Sequence, residues 1–271
     1  MLFQELRDLL TNKLSPKVFR LNSEIYGLHF DKVGYDKHIK KVMLTIDLSL
    51  EAIHFALKNK VGLIISHHSL VNKPIKKFNQ IIIDKLTLLS KYPISIFVLN
   101  SSFIAAEGGI SDTIVNVLYL KLENILDIKS QDGRRIPIGR ICTLLNYPSE
   151  KVPFTLEDLL NRIKRNLNLK SVPFVGDLGR TIKKLCVIGG DISNFKLIKR
   201  AINLGCDSYI SGKINYFDAT IARDLGINLI EVSHYKNEII AMKKLGHFLS
   251  LEFPQVDFVL FDSKDPVKTY I

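Results

Sequence analysis

No apolar run in this chain approaches the ~20 residues a membrane span needs, so no transmembrane segment is expected. Nor does Met1 to Lys13 read as a signal peptide, and no secretory leader is expected. Glu5 and Asp8 interrupt the stretch from Met1 to Lys13, and Leu2, Leu6, Leu9 and Leu10 recur there at helical spacing, the pattern of an amphipathic helix. Cysteine is scarce: Cys142, Cys186 and Cys206 are odd in number and form no C-x-x-C pair. That argues against a disulfide framework or a cysteine-zinc cluster and leaves buried free thiols in a reducing compartment. The expected location is cytoplasmic. A dinucleotide fingerprint is lacking too, because Gly189-Gly190 is not a full G-x-G-x-x-G. The net charge is +11, yet the chain has no dense basic arm. Lys73, Lys76 and Lys77 form one loose group, and Lys196, Lys199 and Arg200 share a helix, with no aromatics interleaved. Nucleic acid is therefore a secondary expectation as a partner.

What is present suffices for a large core: 271 residues, 46% hydrophobic and 24% charged, room for one large domain or two medium ones. Apolar strands alternate with helices. Lys41 to Asp47 reads as a strand, with Asp47 or Ser49 as N-cap of the helix that follows, and Gly62 to Ser66 reads as the next strand. A helix from about Asn79 to Tyr92 leads to the strand Ile94 to Leu99. Tyr26 to His29, Asp127 to Pro137 and Ser171 to Arg180 read as loop or connector. The segment Lys184 to Ser211 then echoes Lys41 to Ser66: each runs from an apolar strand through a helix to a strand ending Ile-Ser, the later unit being two residues longer between matching ends. The fold class that follows is α/β with two related halves. The expected divisions are residues 1–126 for a first half, 127–183 for a connector and insert, and 184–271 for a second half.

Two stretches carry chemistry. Ile64-Ile65-Ser66 ends abruptly at His67-His68, and strand C-termini are where α/β sheets collect ligands. Two imidazoles there can ligate a transition metal, or they can be polar residues that cap a strand. Side chains alternate along an extended strand, so either the chain turns at His67 or the two rings serve different ions. Near the C-terminus, His234 and Glu238 stand at i and i+4 at a strand-to-helix junction, one turn apart on one face. Such a pair can grip an ion, or form a capped, solvated first turn.

Together these motifs resemble the GTP cyclohydrolase type 2 homologues, also called the NGG-interacting-factor-like proteins. That family carries a strand ending in His-His-Pro, matched by Ile64 to Ser69, and ahead of it a strand ending in Asp, like Asp47. Its Gly-His-x-x-x-Glu is similar to Ser233 to Glu238. Gly-Gly-x-Asn-Asp resembles Gly108 to Asp112, and Thr-Gly-Asp-x-x-Tyr-His-Asp-Ala resembles Ser211 to Ala219. The likeness runs from about Tyr26 to Glu252. It implies two interlocked α/β halves with a metal-site cleft between them, in a ring-shaped homo-oligomer, usually a hexamer. By position, the metal ligands are His67, His68, His234 and Glu238.

The chain also departs from the family. Its Ala-His-Thr-Asn-Leu-Asp motif aligns with Leu99 to Ile104, so Asn100 stands at a histidine position and Ile104 at an aspartate. Phe217 replaces a histidine and Lys213 an aspartate. The donors that remain suit a single four-coordinate ion, Zn, Fe, Mn or Ni, one per subunit. An isoleucine and a phenylalanine facing the cleft would also dry it. Two functions follow from the resemblance. One is a metal-dependent hydrolase acting on a nucleotide through metal-activated water, with no separate general base in view. The other is a non-catalytic ring that binds a protein or nucleic-acid partner, its metal structural or vestigial.

Overall fold

Helix caps and fully buried apolar strands set the architecture. The structure is a computed structural model that describes residues 1–21, 24–32, 34, 37–71, 77–145, 153–192 and 194–268. Lys73 and Lys76 of the basic group lie outside the described residues. The chain forms two compact units: Met1–Phe103 with Ile239–Pro266, and Ile104–Glu238 with Val267–Ile271.

In the first unit, α1 (Phe3–Leu9) buries Phe3 and Leu6, and the chain runs through a π turn at Leu10–Leu14. Next come β1 (Gly27–Phe30), β2 (Lys41–Thr45), α2 (Leu50–Lys58), β3 (Leu63–Ser66), α3 (Gln80–Ser90) and β4 (Ser95–Val98), and then α4 (Ser101–Ala105), whose last two residues belong to the second unit. Strands β2, β3 and β4 pair in parallel, and every residue of β3 and β4 is buried. That is why they read as unbroken apolar runs rather than alternating ones. Ser49, not Asp47, caps α2, its hydroxyl accepting from the Ala52 N–H, and Asn79 caps α3 in the same way. The buried face of α2, Ala52, Ile53 and Ala56, packs with Met43, Ile64 and Ile96 of the sheet. Each such aliphatic side chain contributes about 1.5–3 kcal/mol on burial.

The second unit holds α5 (Ile110–Val117), β5 (Leu120–Lys129), β6 (Arg135–Leu144), α6 (Leu156–Asn166), β7 (Phe174–Val175), β8 (Lys184–Ile188), α7 (Phe195–Asn203), β9 (Ser208–Ser211), α8 (Tyr216–Asp224) and β10 (Asn228–Glu231). Helix α9 (His234–Glu252) begins in this unit and continues in the first, where β11 (Asp257–Phe261) follows it. The two sheets run β1-β4-β3-β2-β11 and β5-β6-β8-β9-β10-β7. In each, a parallel β-α-β-α-β run is flanked beyond its third strand by a short antiparallel strand, β1 against β4 and β7 against β10. The protein is thus α/β with two related halves, as the echo between Lys41–Ser66 and Lys184–Ser211 implies. No helix among the described residues is long and apolar enough to cross a membrane.

Several expectations need correction. Gly27–Phe30 is an edge strand rather than loop, and Phe174–Val175 pairs with β10. The segment read as a connector, Asp127 to Pro137, belongs to the β5–β6 hairpin. Strand β5 has only β6 beside it, so most of its side chains face solvent and its composition looks like loop. The divisions at 126 and 183 accordingly fall inside the second compact unit. The C-terminal stretch does not complete that unit either, because β11 pairs in parallel with β2 of the first.

Candidate metal centre

The histidine pair lies just past the end of β3. The His67 N–H donates to the Thr45 carbonyl at 3.0 Å and the His68 N–H to the Ile46 carbonyl at 2.8 Å, while the His67 carbonyl accepts from the Asn100 N–H at 2.9 Å. The chain turns there, because Ser66 Oγ donates to the His68 carbonyl at 2.7 Å. This two-residue side-chain turn is the geometry that competes with extended pairing. It brings the two rings together, centroids 4.7 Å apart, and answers the question raised by strand alternation. His67 is 1% exposed and also meets the edge of Phe103. On the open side, His68 Nδ1 lies 2.8 Å from Asp47 Oδ1, at the end of β2. Asp47 thus pairs with the histidine and does not cap the helix.

In the second unit, β10 passes into α9 through Ser233, whose φ of 58° lies in the left-handed region that side chains other than glycine visit rarely. This sharp corner places His234 and Glu238 on the first turn. His234 Nε2 is 3.3 Å from Glu238 Oε1, with the histidine side chain 35% exposed and the glutamate fully buried. Behind the carboxylate stands a set of residues the sequence reading passed over. Asn237, 1% exposed, donates through Nδ2 to the Ser233 carbonyl at 2.9 Å and accepts from the Gly190 N–H at 3.1 Å. Gly190 has φ +67°, and a side chain at Gly212 would strike both Gly190 O and Asn237 Nδ2. The left-handed φ favours glycine at 190, and the close approach of the Gly190 backbone requires it at 212. The only trace of this in the sequence is the glycine pair at the end of β8.

The positions that depart from the family pattern are also accounted for. A Cβ built on Gly190 would stand 2.6 Å from Ile104 Cδ1 and 3.8 Å from Glu238 Oε1, so an isoleucine methyl shares the carboxylate's immediate surroundings. Asn100 is another left-handed corner, φ 49°, and its side chain donates to the Ile25 carbonyl at 2.8 Å. Phe217 is 78% exposed on the first turn of α8, stacked edge-on with Tyr216. Lys213 is exposed.

A further charged cluster holds the backbone around Ile104. The Arg140 guanidinium, almost fully buried, pairs with the Asp112 carboxylate and donates to the Ala105 and Ala106 carbonyls at 3.0 and 3.1 Å. It thereby ties the end of α4 to the start of α5 within the second unit.

Each unit thus presents one pair of donors: His67 with His68, and His234 with Glu238. Imidazole nitrogen and carboxylate oxygen are ordinary ligands of Zn, Fe, Mn and Ni, and the chemistry of both pairs fits a divalent ion.

Known proteins resemble this chain along nearly its whole length. A sequence profile of the Duf34/NIF3 (NGG1p interacting factor 3) family matches residues 1–266. A Clostridium perfringens protein named GTP cyclohydrolase 1 type 2 homolog is 28% identical over 246 residues, 88% of this chain and 90% of the relative. A Methanocaldococcus jannaschii protein of the same name is 26% identical over 248 residues, covering 90% and 95% of the two chains. The crystal structure of a hypothetical protein from Staphylococcus aureus superposes with a TM-score of 0.82 at 22% identity, covering 100% of this chain and 99% of that one. With the strand-end histidines and the His-x-x-x-Glu turn in place, the chain belongs to the Duf34/NIF3 family.

Proposed function

We propose that His67, His68, His234 and Glu238 together hold one divalent metal ion per subunit, and that the protein is a metal-dependent hydrolase acting on a nucleotide. The observation that carries this reading is the fully buried Glu238 carboxylate one helical turn from His234. An ionised carboxylate removed from water is costly unless cations or strong donors surround it, and a metal site is the common setting in which a protein retains one. His67, His68 and Glu238 each offer one donor atom, a set of the kind that holds a divalent cation. His234 adds a third imidazole beside the glutamate. When bound, such an ion would polarise water for attack on an electron-poor carbon or phosphorus centre. The chain's own contribution is to hold the donors: the Ser66 turn fixes the two rings, and Asn237 fixes the first turn of α9. The names of the relatives support a nucleotide as substrate, the family resemblance supports a ring-shaped homohexamer, and the buried free cysteines support the cytoplasm as its compartment.

Elemental analysis after gentle purification tests the metal reading, with one ion per subunit as the expected content. Two tightly held ions would defeat the single-ion reading, and none at all would defeat the hydrolase. Glu238→Gln should lower the content at least tenfold, and His67→Ala should abolish any GTP turnover. Light scattering in solution tests the hexamer.

One observation favours a second reading. Ile104 stands where the family supplies an aspartate, its methyl and a Glu238 oxygen both border the space beside Gly190, and an apolar group there neither binds a cation nor activates water. On that reading the protein is a ring that binds a partner, its metal structural. Binding of DNA or RNA whose affinity falls linearly with log salt, together with no turnover of nucleotides, would select it.

A further inference from the structure

We propose that Asp47 is the positioning residue of the metal centre: it fixes the tautomer of His68 so that Nδ1 carries the hydrogen and Nε2 presents its lone pair as the ligand atom. The inference rests on the metal reading above and concerns a residue that reading does not use. Asp47 stands at the C-terminal end of β2, and His68 just past the end of the neighbouring parallel strand β3. The backbone bonds from the His67 and His68 N–H groups to Thr45 and Ile46 carry the pairing past both strand ends and hold the two side chains level. His68 Nδ1 then lies 2.8 Å from Asp47 Oδ1, the length of a charge-assisted hydrogen bond. An ionised carboxylate can only accept, so Nδ1 must donate. A neutral imidazole with hydrogen on Nδ1 keeps its free lone pair on Nε2, and a carboxylate on the far nitrogen also makes that lone pair more basic.

The local backbone leaves Asp47 free for this task. The neighbouring helix is capped by the Ser49 hydroxyl, which accepts from the Ala52 N–H at 3.0 Å. The Asp47 carbonyl is held separately by Thr45 Oγ1 at 3.1 Å, which steadies the backbone that carries the carboxylate. Lys85 on α3 is near enough for the Asp47 charge to act on it, opposing the larger effect of its own desolvation. The pair is therefore not isolated from other charge, yet the short contact is to His68. Among the described residues, the other half-site has a neutral device in the corresponding role, the Asn237 amide, which holds backbone rather than ring.

The test compares wild type, Asp47→Ala and Asp47→Asn, because a half-exposed side chain can be removed with little risk to folding. Long-range 1H–15N correlation spectra of the metal-free proteins at pH 8, where imidazoles are largely neutral, report which nitrogen of His68 is protonated. Competition with a chelator reports the affinity for Zn and Mn. The expected result is a wild-type His68 protonated at Nδ1. Asp47→Ala should lose that preference and bind metal about 10- to 100-fold more weakly. Asp47→Asn, which keeps an acceptor oxygen but no charge, should retain the tautomer and recover part of the affinity. An unchanged tautomer in Asp47→Ala overturns the inference, as does a changed tautomer with undiminished affinity. If the wild type binds no metal, the metal reading falls by itself, and the tautomer spectra alone decide whether Asp47 orients His68.

Discussion

The two halves of this protein are built on one frame and place their donors at different strand ends. In the first, the parallel run is β2-α2-β3-α3-β4, and the candidate donors follow the middle strand, at His67-His68. In the second, the run is β8-α7-β9-α8-β10, and the candidate donors follow the third strand, on the first turn of α9. The residue after Ser66 is a buried histidine, whereas the residue after Ser211 is Gly212, which has no room for a Cβ. Both third strands pass into a helix through a left-handed residue, Asn100 in one and Ser233 in the other. The frame therefore fixes where side chains can be presented, and the residue type at each strand end decides which of those places carries a candidate donor.

Four experiments break or sharpen this contrast, in order of expected effect. Replacing Ile104 by Asp restores a carboxylate near Glu238. Metal content measured by mass spectrometry should rise from one ion toward two per subunit. Without added metal, the buried like charge should lower the melting temperature. Content that stays at one would mean the two half-sites differ by more than this side chain.

Removing the guanidinium in Arg140→Ala strands the Asp112 carboxylate and two carbonyls in the second half. Loss of a buried partner of this kind costs about 3–5 kcal/mol, measured as a lowered midpoint in urea. A cost below ~1 kcal/mol would show that water replaces the guanidinium.

Gly212→Ala drives a methyl against Gly190 O and the Asn237 amide, and overpacking of this sort costs about 1–3 kcal/mol. His67→Ala, at the matching position after Ser66, removes a buried ring instead, and a cavity of that kind costs about 2–5 kcal/mol. A cost below ~0.5 kcal/mol for Gly212→Ala would show that the backbone beside it yields to admit the methyl.

The smallest effect per side chain concerns pH. All three thiols lie in the second half. Burial pushes Cys142 from an ordinary 9.0 up to about 12 and Cys206 up to about 11, and raises Cys186 as well. An unfolded thiol releases its proton near pH 9 while a buried one retains it. Each thus contributes stability that is full below about pH 9 and declines as pH rises through the folded value, by about 1.4 kcal/mol per pH unit. Denaturation midpoints at pH 8 and 10 should differ accordingly, and Cys186→Ala should reduce the slope.

Much of the frame was legible because buried parallel strands are continuous apolar runs and capped helices announce their starts. Ser49, Asn79 and Thr155 each stand at the N-cap position of a helix. The edge strands were not legible. Strand β5 is exposed along most of its length, and register shifts at Leu122/Asn124 and Leu126/Ile128 break the alternation that would have marked it. The pairing of β11 with β2 joins segments from opposite ends of the chain, and no local pattern reports it. At the candidate site, His67, His68, His234 and Glu238 could be picked out by residue type and spacing. The residues that orient them could not. Asp47 meets His68 across two strands, and Asn237 acts through a glycine 47 positions away.

The bend at Asn100 has a consequence for how such a protein can change over time. Asparagine and histidine are two of the few residues other than glycine that tolerate a left-handed bend, so exchanging one for the other leaves the main chain undisturbed. At this bend an imidazole can be exchanged for an amide with the main-chain corner kept, and what the exchange alters is the side-chain bond to the Ile25 carbonyl. Backbone shape and side-chain chemistry are to that extent separable there.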